Sequence, residues 1–311
     1  MHKVLISDSM DEIAEKILKS HNIEVDVITN YSSNELVNNI SKYNGLIVRS
    51  ATKVTSEIIN AATNLKIIGR AGAGVDNIDV DYAKNKKIIV MNTPGGNTNA
   101  TAEHTIGLIF SLLRKIPIAN ESTHKGLWEK KKLKGNELKG KNIGIIGFGN
   151  VGSRVAEISH ALGMNVLIYS SHFNSIKNEF KNYKSSDLNT IISNSDIISF
   201  HCKPNKDGSS ILSINELKLM KPSSIVINTA RGNLIDENDL KQALEEKIIK
   251  GAALDVFQDE PVTQHPLLNV KNIVLTPHIA ASTDEAQIIV AEMIANQFCD
   301  YFNNNKIINS L

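Results

Sequence analysis

Short apolar runs, separated by amphipathic stretches of helix length, recur through almost the whole chain. In the first third they are Val4–Ser7, Val25–Ile28, Gly45–Val48, Leu65–Ile68 and Ile88–Met91. A second series comprises Ile143–Gly147, Val166–Tyr169, Ile197–Phe200, Ile225–Asn228, Ala252–Val256 and Ile273–Leu275. Each run is too short for a helix, and several are rich in Ile and Val, the composition of strands buried on both faces. Strand–helix alternation on this scale predicts right-handed βαβ units and parallel sheets. Two series predict two doubly wound α/β domains with a cleft between them.

Between the series lies a longer helical stretch, Thr101 to Lys115, which Pro117 helps to stop. The preceding segment, Asn92-Thr-Pro-Gly-Gly-Asn97, is dense in turn formers and suits a hinge. The last helical stretch, Thr283 to Tyr301, has no strand after it and is free to return to the first domain. The expected division is therefore residues 1–96 with 283–311 in one domain and 97–282 in the other. A length of 311 residues suits this, at roughly 150 residues per domain.

Composition narrows the partners. With 41% hydrophobic and 22% charged residues the chain reads as an ordinary globular protein. A formal net charge of +1 gives no overall field toward nucleic acid or anionic membrane, so neither is expected as a partner. The longest basic run, Lys130, Lys131, Lys132 and Lys134 after Trp128, reads first as solvated surface. Cys202 and Cys299 are far apart and form no CxxC or Cys/His cluster, so neither metal nor a disulfide framework is expected. The N-terminus becomes polar after one short apolar run, unlike a signal peptide, and no apolar stretch reaches the ~18 residues needed to span a bilayer. A reducing, cytoplasmic location is expected.

Gly147-Phe-Gly149-Asn-Val-Gly152 directly follows the run Ile143–Ile146 and opens an amphipathic stretch, Val151–Ala161. A GxGxxG is weak on its own. After a strand and before a helix it suits a dinucleotide pyrophosphate: the first glycine turns tightly, the second admits the phosphate, the third packs helix on sheet. The acidic residue expected ~20 residues on, to bind the adenosine ribose, is missing. The second strand ends instead in Tyr169-Ser170-Ser171-His172, whose hydroxyls and imidazole suit either a ribose or a 2′-phosphate.

Three charged residues follow late strands. Arg231 stands in Asn-Thr-Ala-Arg-Gly, Glu260 in Asp255-Val-Phe-Gln-Asp-Glu260-Pro, and His278 in Thr-Pro-His-Ile-Ala. Ligands of open parallel sheets bind outside the carboxyl ends of the strands, where all three can converge. Arginine grips a carboxylate through paired hydrogen bonds. Histidine takes or returns a hydroxyl proton, and a carboxylate beside it fixes its tautomer. Singly, each reads as a surface ion pair, a solvated loop residue or a satisfied histidine. Together, beside a dinucleotide turn, they read as the chemistry of 2-hydroxy acids.

Asn228-Thr-Ala-Arg-Gly232, Ala252-Ala-Leu-Asp-Val-Phe-Gln-Asp-Glu-Pro261 and Thr276-Pro-His-Ile-Ala-Ala-Ser-Thr283 resemble the signatures of the D-isomer-specific 2-hydroxy acid dehydrogenases. The resemblance covers essentially the whole chain. Gly45-Leu-Ile-Val-Arg-Ser-Ala-Thr-Lys-Val54, Gly69-Arg-Ala-Gly-Ala-Gly-Val-Asp-Asn77 and Met91-Asn-Thr-Pro-Gly-Gly-Asn97 resemble the branch that oxidises D-3-phosphoglycerate. It implies a Rossmann-type dinucleotide domain, a flavodoxin-like substrate domain and a homodimer. Arg231 would bind the substrate carboxylate, His278 accept the proton and Glu260 orient His278. Gly147, Gly149, Asn150, Val151 and Gly152 would hold the pyrophosphate. Ser170, Cys202, Thr229, Asp255, His278 and Ala280 would face the rest of the cofactor, with Asp255 near the nicotinamide. The Arg70–Gly74 loop, including Ala73 and Gly74, would meet the carboxylate with its amides. Arg49 and Arg70, with Lys130 or Lys131 from a partner subunit, would hold a phosphate.

Ser170 stands where the family usually has Asp, so NAD is expected with NADP possible. The chain ends soon after its final helix, so the regulatory domain carried by many relatives is not expected. Two alternatives remain open from the residues: an NADPH-dependent hydroxypyruvate/glyoxylate reductase, and a redox-sensing corepressor that uses the same fold for binding.

Overall fold

The computed structural model describes residues 2–171, 173, 180 and 182–311. Two compact units divide the chain: residues 1–97 with 282–311, and residues 98–281.

The first unit is built on a parallel sheet of β1 (Lys3–Ile6), β2 (Glu24–Val27), β3 (Gly45–Val48), β4 (Ile67–Arg70) and β5 (Ile89–Asn92). Its order, β2-β1-β3-β4-β5, is the doubly wound order of flavodoxin-like folds. Alternate residues feed two cores. Val4, Ile6, Ile47 and Ile67 face one, and Leu5, Leu46, Val48, Ile68 and Val90 the other. The 21-residue helix Asp284–Asn304 covers the first face with Val290, Ile294 and Phe298. Gly45 and Gly69 make room for it: a Cβ at Gly69 would lie 2.4 Å from the Phe298 ring. Thr283 caps this helix by accepting a hydrogen bond from the Ala286 amide.

The second unit carries β6 (Asn142–Ile146), β7 (Asn165–Tyr169), β8 (Lys184–Ser185), β9 (Ile197–Phe200), β10 (Ile225–Asn228), β11 (Gly251–Leu254) and β12 (Ile273–Leu275). Among the described residues these form one parallel sheet in the order β12-β11-β10-β9-β6-β7-β8. The direction of winding reverses between β6 and β9, so the crevice that takes ligands in such sheets lies beyond the carboxyl ends of that pair. The helix Thr98–Leu113 buries Ala102, Ile106, Ile109 and Leu113 against this sheet. An Ile or Leu side chain contributes about 1.5–3 kcal/mol when fully buried, Ala102 less.

The chain does not stop being helical at Pro117. The first helix ends at Leu113, Lys115 turns the corner with φ 53°, and a new helix, Ile116–His124, carries Pro117 in its first turn. Proline is tolerated there because a first-turn residue needs no N–H partner within the helix.

Candidate active site

The glycine turn follows β6 at the switch point. Gly147 has φ 96°, and a Cβ on it would lie 2.5 Å from the His201 carbonyl oxygen, just past β9. A Cβ on Gly152 would lie 2.1 Å from the Gly147 carbonyl oxygen. These two positions close the helix Asn150–Ala161 onto the strand ends. Gly149 is different: a Cβ there would meet nothing within 4 Å, and Gly149 and Asn150 are exposed. Open backbone at the start of a 12-residue helix suits a pyrophosphate, which needs N–H donors and the positive dipole end. Val151 is half-buried behind it.

Ser170 follows β7, the strand beside the turn, and is half-buried. His172 lies outside the described residues. Cys202 follows β9, and burial pushes its thiol up to about 11, so it offers surface rather than a thiolate.

Arg231, Glu260 and His278 follow β10, β11 and β12, in the other half of the same sheet. Asn228, at the end of β10, shapes the Arg231 turn from both sides: its Oδ1 accepts from the Ala230 amide at 3.0 Å and its Nδ2 donates to the Arg231 carbonyl at 2.8 Å. Arg231 leaves this turn half-buried, with Nη1 donating to the Ala230 carbonyl at 2.6 Å. A Cβ on Gly232 would fall 1.9 Å from the Phe257 carbonyl carbon, so the chain after β11 rests directly on the Arg231 turn. In that chain the Phe257 amide donates to Glu260 Oε1 at 3.0 Å.

Glu260 Oε2 then meets His278 Nδ1 at 2.7 Å. Both residues are exposed, so the pair opens to solvent on one side. The hydrogen bond that His278 donates to Glu260 raises the His278 pKa above the ordinary imidazole value, against burial and the nearby Arg231 cation, while Asp255 adds to the rise. Burial alone would raise Glu260; the bonds from His278 and the Phe257 amide overcome it and hold the carboxyl below its usual range. With Nδ1 committed to Glu260, Nε2 is the ring nitrogen outside this pair.

His278 has φ 54°, an unusual conformation for a residue with a side chain. Asp255 holds it there. The Asp255 side chain has no exposed surface. Its Oδ1 accepts from Thr276 Oγ1 at 2.6 Å and the Ile279 amide at 2.9 Å, and its Oδ2 from the Ala280 amide at 2.8 Å. His104 Nε2 adds a contact to Thr276 Oγ1 at 3.1 Å. Burial would raise the Asp255 pKa, but these partners bring it below its usual value.

Asp255 thus grips the loop around His278. Ala280 is 4% exposed with its amide taken by Asp255, and Thr229 is 7% exposed with its hydroxyl 2.8 Å from that of Thr105. These three sequence-derived cofactor positions lie behind the surface.

In the first unit, Arg49 and Arg70 follow or end the adjacent strands β3 and β4. Asp8, two residues past β1, accepts from the Arg49 amide at 2.5 Å and from Thr52 Oγ1 at 2.6 Å. Asn77 braces the same loop by donating to the Arg49 and Thr52 carbonyls, both at 2.7 Å. Arg49 Nη1 donates to the Ser9 carbonyl at 2.9 Å, and burial pulls its guanidinium below its ordinary value. The Arg70 guanidinium lies across Gly72, where a Cβ would fall 2.2 Å from Nη1. Ala73 is exposed and Gly74 half-buried, with the Ala73 carbonyl bonded by Asn92 at 2.6 Å. Lys131 lies exposed in the second unit, in the turn around 130–133.

Among the described residues no group of three or more His, Cys, Asp or Glu could hold a metal ion, and no helix is long and apolar enough to cross a membrane. The roles of Asp255, His104, Asp8 and Asn77 as braces were not legible in advance, because their partners are remote in sequence.

Residues 106–280 match the family described as D-isomer specific 2-hydroxyacid dehydrogenase, NAD binding domain. The D-3-phosphoglycerate dehydrogenase of Archaeoglobus fulgidus is 45% identical over 294 residues, covering 94% of this chain and 56% of that protein. The chain spans about half the length of the curated relatives it matches. Among solved structures, NAD-bound 3-phosphoglycerate dehydrogenase of Entamoeba histolytica superposes with a TM-score of 0.84 at 31% identity, covering 100% of this chain and 98% of that one. A glyoxylate reductase from Paecilomyes thermophila superposes with a TM-score of 0.90 at 26% identity, covering 100% and 98%. The glycine turn, the His278–Glu260 pair and the Arg231 turn all fall within the matched unit, and the chain belongs to the D-isomer specific 2-hydroxyacid dehydrogenases.

Proposed function

We propose that this chain oxidises D-3-phosphoglycerate to 3-phosphohydroxypyruvate with NAD, the first step of phosphorylated serine biosynthesis. The observation that carries the chemistry is the 2.7 Å bond between Glu260 and His278 Nδ1, which leaves Nε2 to receive a hydroxyl proton. Arg231 serves as the carboxylate clamp and polarises the oxygen on C2. The turn Gly147–Gly152 holds the pyrophosphate, with Ser170 near the adenosine ribose and Cys202 beside the cofactor. NAD, when bound, supplies the acceptor for the hydride leaving C2. Thr229, Asp255 and Ala280 are assigned to the rest of the cofactor, Asp255 near the nicotinamide, and Asp255 also holds the loop around His278.

Residues 1–97 with 282–311 are assigned to the substrate and 98–281 to the dinucleotide. The Arg70–Gly74 loop offers its amides, including those of Ala73 and Gly74, to the substrate carboxylate. A substrate phosphate is assigned to Arg49 and Arg70, joined by Lys131 of a second copy in a homodimer. Exposed Ile116, Ile118, Leu127 and Trp128, the last 87% exposed, support such an interface. The two free cysteines support a reducing, cytoplasmic setting. Initial rates with 3-phosphoglycerate, glycerate and D-lactate test the substrate: phosphoglycerate is expected to be preferred, and equal kcat/KM for all three would remove the phosphate from the reading.

Arg49→Ala and Arg70→Ala are each expected to raise KM for phosphoglycerate roughly ten- to a hundredfold, the loss of one charge-assisted hydrogen bond, with little change for glycerate. Equal effects on both substrates would reassign the arginines to structure. At Ser170, no carboxylate repels the 2′-phosphate of NADP. NADP is therefore expected to support turnover at a kcat/KM within about a hundredfold of NAD, and Ser170→Asp to widen the gap by suppressing NADP. A wild type thousands-fold selective for NAD, measured at fixed ionic strength, would place the discrimination elsewhere.

A further inference from the structure

One buried acid–imidazole pair in the second unit stands apart from the residues that face solvent. Glu237 opens the helix Glu237–Glu245, and His265 lies in the loop after Glu260. Their side chains are 8% and 6% exposed, and His265 Nε2 lies 2.8 Å from Glu237 Oε2. The Leu267 amide donates to His265 Nδ1 at 3.3 Å, so Nε2 carries the proton and donates to Glu237. The other oxygen, Glu237 Oε1, accepts from the Gln258 amide at 2.8 Å.

Gln258 is the neighbour of Phe257, whose own amide donates to Glu260. Two consecutive amides therefore point to two carboxylates: Phe257 to the one that meets His278, Gln258 to the one buried against His265. The Phe257 ring also packs edge-on against the His265 ring, with centroids 5.4 Å apart. The same turn rests on Gly232.

We propose that Glu237 and His265 form a clamp that positions the 257–260 turn, and hence the Glu260 carboxylate, against His278. They are positioning residues for proton transfer and touch no substrate. The inference rests on the reading of His278 and Glu260 as the proton-transfer pair. Both oxygens of Glu237 accept hydrogen bonds, so an isosteric amide would leave a donor facing a donor on one side. The turn would then shift, and Glu260 with it. The charged groups acting on His278 are Glu260, Asp255 and Arg231, and only Glu260 is carried by this turn.

The test compares Glu237→Gln, His265→Gln, Glu260→Gln and the double variant Glu237→Gln/Glu260→Gln in the full chain. Glu237→Gln is expected to lower kcat about tenfold or more, since small displacements of catalytic groups have effects of this size. The acid limb of its pH–rate profile should move to lower pH, as in Glu260→Gln. KM for NAD should stay near that of wild type, and the double variant should be no slower than Glu260→Gln.

His265→Gln leaves the Glu237–Gln258 bond in place, so it should shift kcat and the acid limb in the same direction by less, and it carries the test if Glu237→Gln does not fold. A folded Glu237→Gln or His265→Gln with lower melting temperature but wild-type kcat and acid limb would overturn the clamp. Multiplying losses in the double variant would overturn it too. If Glu260→Gln alone changed neither kcat nor the limb, the acid–base reading would fall and the clamp with it, a pattern distinct from an impaired Glu260 variant beside an unaffected Glu237 one.

Discussion

Replacing His278 by Asn is expected to lower kcat for oxidation by about 10²–10⁴-fold, the usual contribution of a positioned general base. Dinucleotide affinity should hardly change, because the glycine turn lies at another pair of strand ends. Asn retains a polar side chain but has no basic nitrogen to receive the proton. The wild-type pH dependence carries the same signature. Oxidation needs neutral imidazole, so its rate rises with pH through the His278 pKa, which Glu260 holds above the ordinary value. Reduction needs the protonated ring and falls through the same pKa, so the optimum for reduction lies on the acid side of that for oxidation. The measurements are kcat against pH and a dinucleotide titration on wild type and variant. A variant that kept more than about a tenth of wild-type kcat would exclude His278 as the base.

Asp255→Ala is expected to be the most damaging change outside the exposed site. It strips three donors, Thr276 Oγ1 and the Ile279 and Ala280 amides, of their buried acceptor. Unmet buried donors cost roughly 1–3 kcal/mol each; only the bond to the Ala280 amide is fully buried and the other two are part-buried, so a loss of ~3–5 kcal/mol of stability is expected. The loop that keeps His278 at φ 54° also loses its anchor, and kcat should fall at least a hundredfold, on the order of the loss from a displaced catalytic group. Asp255→Asn keeps one acceptor oxygen and should lie between Ala and wild type on both scales. Urea unfolding and initial rates on the two variants check this. A stable Asp255→Ala with near wild-type kcat would show that the loop is held by other contacts.

What was legible in the chain, and what was not, divides along physical lines. The buried strands announced themselves as Ile- and Val-rich runs, and the two doubly wound sheets follow from their alternation with helices. Their limits are less sharp because burial runs on past the ladder. Leu65 and Val256 are buried at 7% and 2% exposure yet lie outside β4 and β11. β8 could not be read at all: Lys184–Ser185 carries no apolar signal, and its place is set by pairing with Leu167 and Ile168.

The site shows the same contrast. Arg231, Glu260 and His278 stood out as charged residues after strand-like runs. The residues that hold them did not. Asp255 and Glu260 look alike in sequence, a carboxylate shortly after a strand, yet the partners of Asp255 lie 21 to 25 residues away and seal it from solvent. Glu237 reads as one more acid at a helix start, and only tertiary contacts 21 and 28 residues on reveal it as a brace.

The most direct test follows a label through the reaction. The chain is incubated with NAD and D-3-phosphoglycerate deuterated at C2, and the reduced dinucleotide is analysed by mass spectrometry, with the L isomer in parallel. One deuterium in each reduced dinucleotide is expected from the D isomer, and no reduction with the L isomer. Deuterium lost to water, turnover of the L isomer, or no reduced dinucleotide from the D isomer would contradict this expectation.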